Sequence, residues 1–239
     1  WKQELPAGAV HVLRVYKDRL YAGIDSAGGT SPGIRMWNGT SWTAPRGGVF
    51  QTAGYPAVYA LAEYEGRLAV AGNFTQAGSL TTYSVALWDG DQWSGLGYGV
   101  PVSTGSFRAL APFGTSLVGG GTFNTASPAV RSIAEWNGEA WEALGLGLHQ
   151  ASVKAIIHWR DNLVMTGSFR GPGNDVGSNI AMRQGSEWFN LGGLGNATGK
   201  CFAEFQGDLV VGGFIATAGG VPINNVGAWN AHVWSPLGS

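Results

Sequence analysis

The chain has 239 residues, of which 44% are hydrophobic, so it can bury the core of one large all-β domain or of two small domains. Its 40 glycines and 12% charged residues are unlike the composition of a helical protein, because helices use glycine sparingly. A net charge of −1 excludes a general electrostatic attraction to nucleic acid or to an anionic membrane, and the single cysteine, Cys201, excludes an internal disulfide.

A repeat with a period of 46 to 49 residues runs along the chain. We anchor it on five leucines that each follow a polar turn: Leu20, Leu68, Leu117, Leu163 and Leu209. An aromatic residue stands four positions before each anchor leucine, and a bulky apolar residue stands seven before. A glycine stands four positions after each anchor, except in the first copy, which has Ile24. Self-similarity at this period is typical of repeat architectures.

Each copy predicts four short strands. In the second copy they are VYALAEY (58–64), RLAVAGNF (67–74), YSVALWDG (83–90) and QWSGLG (92–97), which are rich in apolar and aromatic residues. A tight turn such as Glu65-Gly66 joins the first two strands. The last two are joined at Asp89-Gly90, or at Asn137-Gly138 in the third copy, which is the strongest short hairpin signal because both turn residues can take positive φ. No segment has a convincing helical period.

Four-stranded antiparallel units at this period match the blades of a β-propeller, in which sheets pack radially and few strand edges stay exposed. We therefore predict a single all-β domain over residues 1–239, folded as a five-bladed β-propeller. The expected blades cover approximately residues 10–48, 58–98, 107–146, 153–193 and 200–239. The segment WKQEL (1–5) resembles the start of a fourth strand, so we expect either the tail of an earlier repeat, a strand at the ring closure, or a frayed terminus.

Paired tryptophans recur around the last turn of each copy, as in LWDGDQWSGLG (87–97) and EWNGEAWEALG (135–145). Nine of the eleven tryptophans occupy the two repeated positions, and Arg183 interrupts the pattern. Two interpretations are open. The indoles pack between neighbouring blades, where burial of a large aromatic side chain contributes roughly 2–3 kcal/mol, or they stack against sugar rings.

At these residues the chain resembles kelch-type propeller repeats of large bacterial secreted and surface proteins. It is also similar to the repeats in the ectodomain of the fungal cortical marker for bud-site selection. The pattern is carried by LAVAGNFTQAG (68–78), VALWDGDQWSGLG (85–97) and LVVGGFIATAGG (209–220), whereas LYAGIDSAGG (20–29) departs from it. The resemblance implies a propeller that is displayed outside the cell, secreted or at the cell surface, and that binds rather than catalyses. Propellers host many activities, so the likeness is specific for fold only.

One face of the predicted propeller carries long, dissimilar links, whereas the turns on the other face are short and alike. The long links are NFTQAGSLTTYS (73–84), TFNTASPAVRS (122–132) and SFRGPGNDVGSN (168–179) within blades, and GYGVPVSTGS (97–106), GLHQAS (147–152) and GNATGK (195–200) between blades. Loops carried on a rigid scaffold are where specificity usually resides. We therefore expect this face to bind the partner.

Five candidate binding residues stand nine positions before the anchors, where the innermost strand enters from the long-link face: His11, Tyr59, Arg108, Lys154 and Lys200. Strand alternation places them on the same side as the residues seven before the anchors. If that side faces the central channel, three cations meet at one mouth and attract a carboxylate, sulfate or phosphate. The alternative is three solvated side chains at a rim.

No constellation for catalysis is present, so we predict no enzyme activity, no metal and no cofactor. The four histidines (His11, His149, His158 and His232) lack a zinc-ligand spacing, and we interpret Cys201 as a small core residue. Glu63 and Glu204, five positions before their anchors, are the carboxylates that a five-bladed glycosidase would need. They belong to non-adjacent repeats, which places them apart.

The leading hypothesis is a monomeric, non-catalytic binding or adhesion propeller, lectin-like in one form, that uses the long-link face. Its partner would be a glycan, an anionic small ligand or a surface protein. We expect no nucleic-acid binding, and no apolar segment is long enough for membrane insertion. The alternatives are a scaffold module of a larger surface protein, an engineered or reconstructed repeat protein without a native ligand, and a glycoside-processing enzyme.

Overall fold

A computed structural model of the chain describes residues 8–26, 32–52, 54–97, 99–100, 105–124, 130–144, 152–169, 179–195 and 197–237. Over these residues the protein is all-β, with five four-stranded antiparallel sheets that follow one another along the chain. The described part has one short 3-10 helix, Pro45–Gly47, and no α-helix. The predicted all-β class and the four-stranded antiparallel units are confirmed. The segment 1–5 lies outside the described residues.

The first two sheets each correspond to one copy of the repeat. The first sheet consists of β1 (Val10–Tyr16), β2 (Arg19–Ile24), β3 (Ile34–Trp37) and β4 (Trp42–Thr43). The short strand β5 (Val49–Phe50) follows the 3-10 helix. The second repeat contains β6 (Ala57–Tyr64), β7 (Arg67–Asn73), β8 (Gln76–Ala77), β9 (Leu80–Thr81), β10 (Val85–Trp88) and β11 (Trp93–Ser94). Its main sheet has the order β6-β7-β10-β11, while β5, β8 and β9 form a small three-stranded sheet.

The remaining three repeats have the same plan. The third sheet consists of β12 (Phe107–Phe113), β13 (Ser116–Asn124), β14 (Arg131–Trp136) and β15 (Trp141–Ala143). The fourth consists of β16 (Ser152–Trp159), β17 (Asn162–Ser168), β18 (Ile180–Gln184) and β19 (Glu187–Asn190). The fifth repeat contains β20 (Thr198–Phe205), β21 (Asp208–Phe214), β22 (Thr217–Ala218), β23 (Val221–Pro222), β24 (Val226–Trp229) and β25 (Trp234–Pro236). The hairpin β22-β23, like β8-β9, lies in the long link after the second main strand and was not predicted.

The hydrophobic core lies between the sheets. The first strands of successive repeats pack in chain order, β1 on β6, β6 on β12, β12 on β16 and β16 on β20. The four clusters of buried apolar side chains each span one pair of neighbouring sheets, from the first and second to the fourth and fifth. Each sheet is therefore stabilised mainly by its neighbours in sequence, as expected for a repeat protein.

A recurring hydrogen bond ties the first, second and fourth sheets each to the one that follows. The aromatic residue four positions before the anchor reaches the first turn of the next repeat: the Tyr16 hydroxyl donates to the Gly66 carbonyl oxygen at 2.8 Å, and the Tyr64 hydroxyl donates to that of Thr115 at 2.9 Å. Trp159 Nε1 donates to the Gly207 carbonyl oxygen at 3.2 Å. In these three repeats the aromatic residue thus links two sheets through its polar atom as well as its ring, whereas Phe113 and Phe205 have no such atom.

Indoles from the paired positions reach backwards, to the preceding sheet. Trp93 Nε1 donates to the Pro45 carbonyl oxygen at 3.0 Å, and Trp234 Nε1 donates to that of Leu191 at 2.6 Å. Trp88 Nε1 donates to the Tyr21 hydroxyl at 3.0 Å. The packing interpretation of the tryptophans is confirmed for these indoles, which use both their apolar area and their one polar atom between sheets.

The two kinds of turn differ from each other in backbone geometry. In four repeats both residues of the first turn take positive φ, as in Glu65 (φ 49) and Gly66 (φ 69), which is the geometry of a type I′ hairpin, whereas in the third repeat only Gly114 does. In the last turn only the glycine does, with φ 108 at Gly90. Asp89 instead accepts hydrogen bonds from the backbone N–H groups of Asp91 and Gln92 with its carboxylate. The hairpin predicted at Asp89-Gly90 is confirmed by the pairing of Trp88 with Trp93.

The outer faces of the first and fifth sheets are exposed. Phe205, in the fifth copy, is 58% exposed, whereas Tyr16, Tyr64 and Trp159 at the equivalent position are at most 4% exposed. Val226 is 37% exposed, although its counterparts on β3, β10, β14 and β18 are fully buried. Packing of the fifth sheet on the first is therefore not seen among the described residues, and the closed ring of five blades stays a prediction.

Candidate functional site

All five candidate binding residues occupy a β-bulge. In each repeat the pairing between the first and second strands shifts at the position nine before the anchor, for example between Val58 and Ala60 and between Val153 and Ala155. The shift recurs in the first, third and fifth sheets. The bulged residues are His11, Tyr59, Arg108, Lys154 and Lys200. A bulge re-aims a side chain, so it is this irregularity, rather than simple alternation, that orients the five residues.

In four repeats the glycine four positions after the anchor lies directly against the bulged strand, whereas the first repeat has its bulge with Ile24 at that position. A Cβ atom on Gly121 would lie 2.0 Å from the Ser106 carbonyl oxygen, and one on Gly167 would lie 1.9 Å from that of Ser152. Neither distance is compatible with a side chain, so the two strands approach this closely only with glycine. The glycine was visible in the sequence, and it was the available signal for the bulge.

Four of the five candidates line one cavity of about 310 Å³. Tyr59, Arg108, Lys154 and Lys200 lie at the start of their strands. The bulky apolar residues seven before the anchors complete the wall: Leu61, Leu110, Ile156 and Phe202. Small residues between these two rows, among them Ala60 and Ala109, leave the space open. No Asp or Glu is found among the described residues that line it.

The cavity mouth is electropositive. Burial lowers the pKa of Lys154, and the charges of Arg108 and Lys200 lower this pKa further. The Arg108 guanidinium lies 3.9 Å from the centre of the Tyr59 ring, a cation–π contact that holds both side chains in place. Its Nε atom is buried and has no hydrogen-bond partner in the described part of the chain. Lys200 is exposed and lies 5.9 Å from the Phe214 ring centre.

His11 lies beside this site rather than in its wall. Its ring is 4.7 Å from that of Tyr59, and its Nε2 atom is 3.6 Å from an Asp25 carboxylate oxygen. The structure brings Tyr59, Arg108, Lys154 and Lys200 together and places His11 against the tyrosine as a neighbour.

The residues considered for catalysis lie on three different sheets. Glu63, His158 and Glu204 are exposed, on the second, fourth and fifth sheets. Within the described ranges, no group of three or more His, Cys, Asp or Glu side chains could hold a metal ion. The interpretation of Cys201 as a core residue is wrong: the thiol is exposed and lines the cavity, because the fifth sheet is covered on one side only.

Much of the long-link face cannot be compared with the prediction. Residues 125–129, 145–151 and 170–178 lie outside the described part of the chain, as do 101–104. The link over 73–84 is described and contains the hairpin β8-β9.

Sequence reasoning missed the contribution of the apolar row to the cavity, because bulky residues such as Leu61, Leu110 and Ile156 are typical of an ordinary core.

Comparison with known proteins identifies no family. No family model matches the chain, and no curated protein matches it. Among solved structures, the chain is similar to the extracellular domain of a putative hybrid two-component system from B. thetaiotaomicron, with 11% sequence identity and a TM-score of 0.48. The match covers 96% of this chain and 33% of that structure, so this chain spans about a third of its length. No helix in the described residues has the length and apolar character needed to cross a membrane.

Proposed function

We propose that the chain is a non-catalytic binding module that holds an anionic group at the mouth of its cavity. One observation carries the proposal: Arg108, Lys154 and Lys200 from three successive sheets converge on a cavity whose described wall has no carboxylate. Burial, together with the charges of Arg108 and Lys200, lowers the pKa of Lys154, so its charged form is disfavoured in the free protein. A bound carboxylate, sulfate or phosphate would reverse that cost and accept hydrogen bonds from the Arg108 guanidinium.

The proposal includes a fold and a location. The five sheets would be the blades of a five-bladed β-propeller of kelch type, with lectin-like binding to an acidic glycan or surface protein as one form of its use, outside the cell. Sequential packing of the first strands supports this arrangement.

A closed ring would bury Phe205, so Phe205→Glu should then lower the unfolding free energy by about 2 kcal/mol or more. An unchanged urea midpoint would contradict closure.

The double variant Lys154→Ala/Lys200→Ala tests the anion site. We expect its affinity for inorganic sulfate to fall at least tenfold, because two of the three cations are removed while the half-buried and exposed positions tolerate alanine. Isothermal titration with sodium sulfate, against sodium chloride of equal ionic strength, measures the change. The matched control is Lys17→Ala/Arg160→Ala, which removes two exposed cations that lie in turns away from the cavity.

The pH dependence of sulfate binding separates this site from a general surface effect. Since the pKa of Lys154 in the free protein is lowered from its usual 10.5, and an anion favours the charged amine, the affinity should fall as the pH rises through that lowered pKa. The double variant should lack this decline. Equal affinities for the native protein and the double variant would refute the anion site.

A further inference from the structure

Two chemically different rows of side chains line the cavity, one cationic and one apolar. The inference drawn from them rests on the proposed anion site and extends it. The cationic row stands nine positions before the anchors, and the apolar row stands seven before. Leu61 and Leu110 are buried, whereas Ile156 and Phe202 are partly exposed to the cavity. Two residues along a regular strand correspond to roughly 7 Å, so the apolar row lies within about that distance of the cationic row.

We propose that the ligand of this cavity is a carboxylate attached to a short apolar chain. The carboxylate would lie between Arg108, Lys154 and Lys200, and the apolar chain would extend along the wall formed by Leu110, Ile156 and Phe202. A chain of about five or six carbons spans the roughly 7 Å between the two rows.

Three features of the site favour this class over a fully polar anion. The described wall below the cations contains alanine, leucine, isoleucine, phenylalanine and the Cys201 thiol, and no side-chain amide or hydroxyl that could replace the water around a sugar ring. The cavity, at about 310 Å³, is at the lower end of the volumes of small-molecule sites. Tyr59, the one hydroxyl-bearing residue of the wall, is at the mouth and is already stacked on Arg108.

The ligand class predicts a dependence on chain length. Acetate, butyrate and hexanoate carry the same carboxylate, so each should make the same interactions with Arg108, Lys154 and Lys200. Each added methylene buried against the wall should raise the affinity about threefold, up to hexanoate, after which the gain should cease. Hexan-1-ol, which has the chain but no charge, should bind at least tenfold more weakly than hexanoate.

A substitution in the apolar row tests the assignment of the wall. Ile156→Thr keeps a β-branched side chain at a partly exposed position of β16, so the fold should be retained, but it introduces a hydroxyl beside the apolar chain. We expect it to weaken hexanoate binding about fivefold and to leave acetate binding unchanged. Ile157→Thr, whose side chain also borders the cavity but belongs to the next position on the strand, should have the smaller effect.

The experiment is a titration of the native chain and both variants with the three carboxylates and hexan-1-ol, followed by ligand-observed NMR and calorimetry. Rising affinity from acetate to hexanoate, lost in Ile156→Thr, supports the inference. Equal affinity for all three carboxylates overturns it while leaving the anion site intact. Hexan-1-ol binding as tightly as hexanoate also overturns it. Binding of none of these anions, sulfate included, refutes the proposed function itself.

Discussion

Gly167→Ala should destabilise the protein by about 3 kcal/mol or more, at the upper end of overpacking effects. The reason is steric: the new Cβ atom would lie 1.9 Å from the Ser152 carbonyl oxygen and 2.9 Å from the Val153 Cα atom. Both neighbours are backbone atoms of β16, so no side chain can rotate away. The strands must separate, and the bulge that presents Lys154 must change. Urea unfolding measures the stability, and sulfate titration of the folded fraction should show at least tenfold weaker binding.

Gly212→Ala is the matched control for this effect. It lies in the equivalent region of β21, and the nearest atom to its new Cβ is the Cys201 Sγ atom at 3.0 Å, the end of an exposed side chain that can move. We expect a loss of no more than about 1 kcal/mol. If the two substitutions cost the same, the close strand approach at Gly167 does not set the bulge, and the account of how the site is oriented fails.

The sequence predicted those features that depend on periodicity. Leucine anchors such as Leu68 and Leu163 are fully buried, and each strand predicted for the second copy corresponds to one of β6, β7, β10 and β11, although β10 and β11 are shorter than predicted. Repetition made these inferences possible, because five independent copies show the same apolar and turn positions. A single copy would leave strand VYALAEY ambiguous, since a short apolar run does not by itself distinguish a strand from a buried helix.

The candidate site was found for an incomplete reason. Alternation along the strand was expected to align Lys154 with Ile156, and both do line the cavity, but the intervening Ala155 lines it as well. That is possible because the bulge at Lys154 interrupts the alternation. A bulge is a property of two paired strands, so the residue pattern of a single strand does not predict it. The sequence feature that accompanies it in this repeat is Gly167, which pairs with Val153 next to the bulge.

Errors in the prediction concentrate in the fifth repeat. Cys201 and Phe205 occupy positions that are apolar in the other copies, and the sequence therefore predicted burial for the cysteine. Both are exposed, because burial in this fold depends on a neighbouring sheet rather than on the residue's own strand. Tyr64 and Trp159 show the same dependence, because each is covered by the first turn of the following repeat. The position of a repeat in the chain therefore decides which of its residues are exposed, and the residue pattern within one repeat does not contain that information.

Trp234→Ala should lower the unfolding free energy by about 4 kcal/mol, as for other buried tryptophans replaced by alanine. The Trp234 ring is 5% exposed, its centroid is 5.4 Å from that of Trp229, and its Nε1 atom donates to the Leu191 carbonyl oxygen of the preceding repeat at 2.6 Å. Its removal would therefore open a cavity between the fourth and fifth sheets and leave that carbonyl without its donor. Guanidinium unfolding followed by far-ultraviolet circular dichroism measures the loss.

Trp234→Phe separates the two contributions of the indole. Phenylalanine keeps most of the apolar contact but cannot donate to Leu191, so we expect a smaller loss of roughly 1–2 kcal/mol, the cost of an unsatisfied buried acceptor together with the lost ring area. The same variants decide between packing and sugar stacking for this residue. If Trp234→Ala left stability unchanged and instead abolished binding to a glycan array, the indole would be a sugar platform, and the assignment of the paired tryptophans to contacts between sheets would be wrong.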